Sequence, residues 1–243
     1  MRIILNTDLP PAAHWALSQL ERSLHSKDLL DETGPSLHVG LAGQDTGIDR
    51  ILVESGVLCP SPPESLVIHR LSDCIILAGR DERGLVYALL ETARAIECAE
   101  SSDPLDAVIP TIESPHLPWR SMQIFLCNRK LEAGWFYSED FWDGYLSWLA
   151  FCRYNNLSLT FAHQIPYLAP PYPFLVDMPE FPQVRPLDCT PVEQRRNLAM
   201  LGKIAEIARA RGLHFTFAVW SQHAFTYGDS QVEGLTEDIL PDY

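Results

Sequence analysis

The sequence predicts an α/β chain in two parts: an N-terminal α/β sandwich domain over residues 1–109, then the first three βα units of a (β/α) barrel over 119–243. A linker at 110–118 joins them. Three observations carry this. Short apolar runs alternate with helical stripes through the first hundred residues. Four prolines (104, 110, 115 and 118) then mark an extended stretch. After Pro118 the order is strand, helix, strand, helix, strand, which implies right-handed parallel crossovers.

In the first part, residues 2–6 read as a strand. A helix is expected over 11–25, with Ala13, Leu17, Leu20 and Leu24 on one face at helical spacing. Residues 36–42 give a second strand and 49–55 a short helix, ended by the proline-rich 59–63. Two apolar runs, 65–70 and 74–79, are joined by Leu71-Ser72-Asp73, too short for anything but a β-hairpin. The next helix runs to about residue 99, with Leu85, Val86, Leu89, Leu90, Ala93 and Ile96 as its apolar stripe. Such a stripe needs a sheet to cover, and the preceding strands supply one.

The second part opens with a strand at 121–127 that reads as buried, Arg120 near its beginning and Asn128, Arg129 and Lys130 just past its end. Ser138 is a good N-cap for a helix to about residue 153, with Glu139 and Asp140 favourable in its first turn. Asn155-Asn156 ends it, and 157–162 is the next strand. Residues 163–188 form a long proline-rich loop, and loops of that length in compact domains are usually functional. Thr190-Pro191-Val192-Glu193 is a capping box with proline at the first helical position. Its helix ends at Gly212, and 213–219 is the third strand.

Composition bounds the function class. The formal net charge of -14 and the lack of a basic stripe exclude a phosphate-backbone partner such as nucleic acid. No apolar run is long enough for a membrane span or a signal peptide, so the expected location is cytoplasmic. Six cysteines are widely spaced with neither CxxC nor Cys–His ligand spacing, and Cys127 and Cys152 fall in apolar runs as small core residues. Reduced structural thiols are expected, and no cofactor. Oligomeric state is not legible.

A barrel of this type needs eight strands and about 250 residues of its own. Residues 119–243 supply three strands. Each missing unit would leave large apolar side chains uncovered, at ~1.5–3 kcal/mol apiece. The expectation is therefore a truncated chain, the front portion of a longer polypeptide.

The run Ile76-Leu-Ala-Gly-Arg-Asp-Glu-Arg-Gly-Leu-Val-Tyr-Ala-Leu89 resembles the end of the N-terminal α/β domain of family 20 hexosaminidases and α-glucuronidases. In those enzymes a hairpin and a Gly-x-Asp-x-x-Gly-x-x-Tyr-Gly helix precede a proline-rich linker. The first strand of a TIM-barrel glycosidase domain then begins with Trp-Arg-Gly. Trp119-Arg120-Ser121 stands at that place here. The resemblance implies a glycoside hydrolase acting on a hexosaminide or uronide, with Arg120 hydrogen-bonding sugar hydroxyls. It also implies an Asp-Glu catalytic pair after a fourth strand, beyond Tyr243, so the catalytic carboxylates are not expected among these residues. Departures are clear: Ser121 replaces Gly, Ala88 replaces the Gly after the helix Tyr, and Phe161-Ala162-His163-Gln164 stands where His-x-x-x-Asp is usual.

In (β/α) barrels function gathers where strands end. That rule selects Asn128, Arg129, His163, Gln164, Trp220, Gln222 and His223 as candidates to bind a carbohydrate substrate. Amides and imidazoles there suit sugar hydroxyls, and Trp220, Tyr167 or Tyr172 offers a flat face to a pyranose ring. Each competes with a plainer role as a solvated loop or packing residue. For Arg120 the plainer role is a structural salt bridge, because it begins its strand. His163 and His223 alone do not make a metal site, which needs three or four ligands. Glycoside hydrolysis usually needs two carboxyl groups, but Glu132, Asp177 and Glu180 read as loop solubilisers. A non-catalytic carbohydrate-binding or interaction protein with an incomplete barrel is the alternative function.

Overall fold

The computed structural model describes residues 1–43, 47–126, 129–161, 174–187, 189–219 and 232–234. It separates into two compact units, the first made of 1–120, 147–155 and 209–213, the second of 121–146, 156–208 and 214–243.

In the first unit β1 (Arg2–Leu5), β2 (Ser36–Leu41), β3 (Leu66–Arg70), β4 (Cys74–Gly79) and β5 (Thr111–Glu113) form one sheet in the order β1-β2-β4-β3-β5. β1, β2 and β4 run parallel, while β3 is antiparallel to both β4 and β5. The expected hairpin is thus β3–β4. The stretch read as a connector contributes a 3₁₀ turn at Pro104–Ala107 and the edge strand β5. Between Pro110 and Pro115 four residues are free to pair, and a sheet edge recruits three of them.

α1 (Pro11–Ser26) and α3 (Glu82–Glu97) share a core with one face of the sheet; α2 (Gly47–Glu54) packs on the other face. Strand periodicity explains the division. Ile75 and Leu77 of β4 join the α1/α3 core, whereas Ile76 and Ala78 join the α2 core. A strand covered on both faces reads as a continuous apolar run, as β4 does. The predicted stripes of α1 and α3 are all buried.

Two glycines are set by close approach. A Cβ on Gly79 would lie 1.9 Å from the Leu85 nitrogen, and one on Gly84 would lie 2.1 Å from the Ser65 carbonyl oxygen. Neither backbone can move aside.

In the second unit β6 (Ser121–Leu126), β7 (Asn156–Phe161) and β9 (His214–Val219) form a parallel sheet in the order β6-β7-β9. Ser121 aligns with Asn156 and Asn156 with His214. α4 (Arg129–Phe136), α5 (Glu139–Phe151) and α6 (Pro191–Ala210) connect these strands, and two-residue β8 (Arg185–Pro186) pairs antiparallel with β10 (Val232–Glu233). α4 is an addition to the sequence reading. Ser138 Oγ accepts from the Phe141 amide at 3.1 Å, as an N-cap should. Thr190 and Glu193 exchange their capping-box bonds at 2.7 and 3.3 Å.

Trp142 is fully buried, its indole N–H donating to the Phe136 carbonyl at 2.8 Å. Two sequence expectations need correction. β6 alternates between exposed and covered residues instead of being buried throughout, because successive side chains point to opposite faces of the sheet and only the face of Met122, Ile124 and Leu126 is covered. Cys152 is exposed, lying past the end of α5, while Cys127 lies outside the described residues. No described cysteine is in a disulfide. No helix among the described residues is long and apolar enough to cross a membrane.

Candidate functional site

The C-terminal ends of β6, β7 and β9 are Leu126, Phe161 and Val219. Of the residues expected to line a sugar site there, Asn128, His163, Gln164, Trp220, Gln222 and His223 lie outside the described residues, as do Tyr167 and Tyr172. Arg129 opens α4. Among the described residues no group of three or more His, Cys, Asp or Glu side chains could hold a metal ion.

The sheet beneath these ends has two unlike faces. Register places Ser121, Gln123 and Phe125 of β6 beside Asn156, Ser158 and Thr160 of β7 and His214, Thr216 and Ala218 of β9. Three hydrogen bonds cross this polar face. Asn156 donates to Ser121 Oγ at 2.7 Å, Thr216 donates to Asn156 Oδ1 at 2.9 Å, and Gln123 donates to Thr160 Oγ1 at 2.8 Å. The opposite face carries Met122, Ile124 and Leu126 beside Leu157 and Leu159, then Phe215 and Phe217. Period-two alternation thus sorts the sheet into a hydrogen-bonded side and an apolar side.

Residues 174–177 are held by α6. Asn197, buried on that helix, donates to the Phe174 carbonyl at 2.8 Å and accepts from the Tyr137 hydroxyl. Gln194, one turn earlier, donates to Asp177 at 3.0 Å. The Arg196 guanidinium stacks 3.9 Å over the Tyr137 ring. Asp177 is thereby held by a neighbour and is not a free loop carboxylate.

Arg120 has a different setting. It precedes β6 by one residue, and its guanidinium is taken up by protein groups. Nε donates to the Arg153 carbonyl at 2.6 Å and one terminal nitrogen to the Leu117 carbonyl at 2.7 Å. The other terminal nitrogen meets the Glu64 carboxylate and the Tyr87 hydroxyl, the latter at 3.0 Å. This is the structural salt bridge that stood as the plainer role for Arg120.

Glu64 is the centre of that cluster and was not legible as such. It is 6% exposed and has a left-handed φ of 62°. For a residue with a Cβ that backbone costs roughly 1–2 kcal/mol, so its surroundings must enforce it. They do: its N–H donates to Asp81 Oδ2 at 2.8 Å, and the second Asp81 oxygen caps α3 at the Gly84 amide, 3.0 Å away. The Glu64 carboxylate accepts from Asn155 at 2.9 Å, Arg83 at 3.3 Å, Tyr87 at 3.4 Å, and Arg120. Arg83 also donates to the Gly212 carbonyl at 2.6 Å.

Burial works to raise the Glu64 pKa. Hydrogen bonds from Arg120 and Asn155, with the charges of Arg120 and Arg83, outweigh it and leave the carboxyl below its ordinary value. Burial, then the Glu64 charge, pushes the Tyr87 hydroxyl well above its ordinary range, so it stays a neutral donor. The Arg120 guanidinium is disfavoured by burial, yet the Glu64 hydrogen bond and the neighbouring groups hold its pKa above the ordinary value.

The motif carrying the family resemblance therefore has a physical meaning here. Gly79 and Gly84 permit close approach, Asp81 caps α3 and orients Glu64, and Tyr87 faces the carboxylate. Glu64 itself gave no sequence signal, since a Glu after Pro62-Pro63 looks like an ordinary turn residue.

An open cleft of about 580 Å³ lies at the C-terminal end of β1, lined by Leu5, Asn6, Thr7, Asp8, Leu9 and His14. It offers a single carboxylate, short of the pair that glycoside hydrolysis asks for.

No protein-family model matches the chain, and no curated protein matches it by sequence. Solved structures do match in fold. A GH138 enzyme targeting pectin rhamnogalacturonan II has a TM-score of 0.65 at 18% identity, over 89% of this chain and 24% of its own. CpGH84D has a TM-score of 0.60 at 10% identity, over 99% of this chain and 36% of its own. A glycoside hydrolase family 20 beta-N-acetylglucosaminidase has a TM-score of 0.52 at 14% identity, over 88% of this chain and 37% of its own. The chain has a glycosidase-like fold and spans about a quarter to just over a third of the length of these structures.

Proposed function

We propose that this chain is the opening part of a carbohydrate-active glycoside hydrolase. In this reading an N-terminal α/β accessory domain, 1–109, leads through 110–118 into the first three βα units of a catalytic (β/α) barrel at 119–243. The observation that carries it is the in-register parallel trio β6-β7-β9, built in chain order with a helix in each crossover. Fold likeness to GH138, GH84 and GH20 structures supports it.

The polar face of the trio would line the barrel interior, and the apolar face would meet the outer helices. The sugar would then bind at the strand ends, on Asn128, Arg129, His163, Gln164, Trp220 and His223. Arg120, which the resemblance assigns to sugar hydroxyls, has its guanidinium engaged by the Arg153 and Leu117 carbonyls, Glu64 and Tyr87, and in this reading that favours the structural role. A hexosaminide would engage the amides and imidazoles. A uronide would add a carboxylate for Arg129 or Lys130 to pair with.

The test is a panel of nitrophenyl hexosaminides and uronides assayed with the full-length polypeptide. Hydrolysis of one sugar class fixes the function and the class together. Sugar binding without turnover would favour the second reading, a non-catalytic carbohydrate-binding protein. That reading draws on three described carboxylates of the second unit. Asp177 is bonded to Gln194, Glu193 to Thr190 and Glu139 to Lys203, so each has a structural occupation.

A further inference from the structure

We propose that Glu64 is a positioning residue that gathers the starting points of β6, β7 and β9 on one buried carboxylate. The geometry is specific. Arg120 is the residue before β6, Asn155 is the residue before β7, and Gly212 lies two residues before β9. All three belong to the first unit; Arg120 and Asn155 bond Glu64 directly and Gly212 is linked to it through Arg83. Arg120 reaches it directly, Asn155 donates to it at 2.9 Å, and Arg83 bridges from it at 3.3 Å to the Gly212 carbonyl at 2.6 Å. Arg120 and Asn155 are further locked to one another by two bonds through their main chains, at 2.8 and 3.0 Å.

The cluster is made of long-range contacts, spanning 91 residues from Asn155 to Glu64 and 129 from Gly212 to Arg83. A carboxylate has two oxygens and about four acceptor sites, enough to take one donor from each route at once. A neutral side chain cannot do this with two guanidinium groups, because burying them without a counter-charge is costly. The left-handed backbone of Glu64 is then the strain expected of a residue held for its position. This inference stands on the cluster's geometry and holds whether or not the protein hydrolyses sugars.

The experiment is hydrogen exchange read by mass spectrometry on the full chain, comparing wild type with Glu64→Gln. The expected result is exchange faster by about tenfold or more in peptides covering 121–126, 156–161 and 214–219, with α1 and β2 unchanged. Equal acceleration everywhere would mean general destabilisation and would overturn the proposal, as would no change in the three strands. Arg83→Met gives an independent reading even if Glu64→Gln does not fold. It breaks the bridge to Gly212 and leaves the Arg120 and Asn155 bonds to Glu64 in place, so exchange should rise more in 214–219 than in 121–126. A rise spread equally over all three strands would overturn the assignment of one route per strand.

Discussion

Asn155 and Arg120 hold each other through main chain and side chain at once. Asn155 Oδ1 accepts from the Arg120 amide at 2.8 Å, and the Asn155 amide donates to the Arg120 carbonyl at 3.0 Å. The same Asn155 side chain donates to the Pro118 carbonyl at 2.8 Å and to Glu64 at 2.9 Å. An asparagine read as a helix terminator thus satisfies buried groups on three segments.

Asn155→Ala should cost about 1–3 kcal/mol, because the Arg120 amide and the Pro118 carbonyl lose the side chain that bonds them and one Glu64 oxygen loses one of its two donors. Urea unfolding checks this, and an unchanged midpoint would refute it. Asn155→Asp should be no milder, since it sets a second carboxylate beside Glu64.

Glu64 makes stability depend on pH in a definite direction. Its folded pKa lies below its ordinary value of 4.5, so its contribution is fully present above that value and fades as pH falls through the folded pKa. Denaturant melts taken through the acid range should show wild type losing more stability than Glu64→Gln. Parallel curves would show that the carboxyl does not titrate differently on folding.

Glycine replacements should split into two groups. Gly79→Ala and Gly84→Ala drive a methyl into backbone at 1.9 and 2.1 Å and should abolish or severely weaken folding of the first unit. Gly144 in α5 and Gly202 in α6 have nothing within 4 Å of an added Cβ. Alanine at either should stabilise by ~0.5–1 kcal/mol through helix propensity. Thermal melts of the four variants distinguish the groups.

Removal of the α6 cap is a local test. Thr190→Ala loses the two bonds of the Thr190 hydroxyl, from the Glu193 amide at 3.3 Å and to the Glu193 carboxylate at 2.9 Å, while the Thr190 N–H keeps its own bond to Glu193; the loss should cost ~1 kcal/mol. Circular dichroism melts give the value.

Arg120 and the strand-end residues should separate by phenotype. Arg120→Ala should lower the melting temperature, because it takes one of the two guanidinium partners from the buried Glu64 carboxylate. Asn128→Ala or His163→Ala should leave the melt unchanged and lower kcat/KM or sugar affinity by about tenfold, the worth of one good hydrogen bond. Calorimetry alongside an aryl glycoside assay on the full-length protein reads both effects. A melt-neutral Arg120→Ala that loses sugar binding would return Arg120 to the site.

Much of the architecture was open to reading because it rests on local rules. The stripe Leu85, Val86, Leu89, Leu90, Ala93, Ile96 needs only helical periodicity, and the Thr190–Glu193 box only its spacing. Paired apolar runs around Leu71-Ser72-Asp73 announce a hairpin for the same reason. β5 was missed, because four residues between prolines carry no pattern until a sheet edge is beside them. β6 was read as buried throughout because apolar content reports burial potential and not which face of the sheet is covered.

By itself the sequence determined most of the helices and strands, their order, and that the strands read at 121–127, 157–162 and 213–219 would be parallel, but not α4 or the short strands β5, β8 and β10. Tertiary structure alone decided that one carboxylate, Glu64, draws together residues 120, 155 and 212. The physical reason is range. Periodicity and capping act over a few residues and leave a mark in composition. A buried ion cluster joins side chains up to 129 positions apart, and no spacing in the chain records that they will meet.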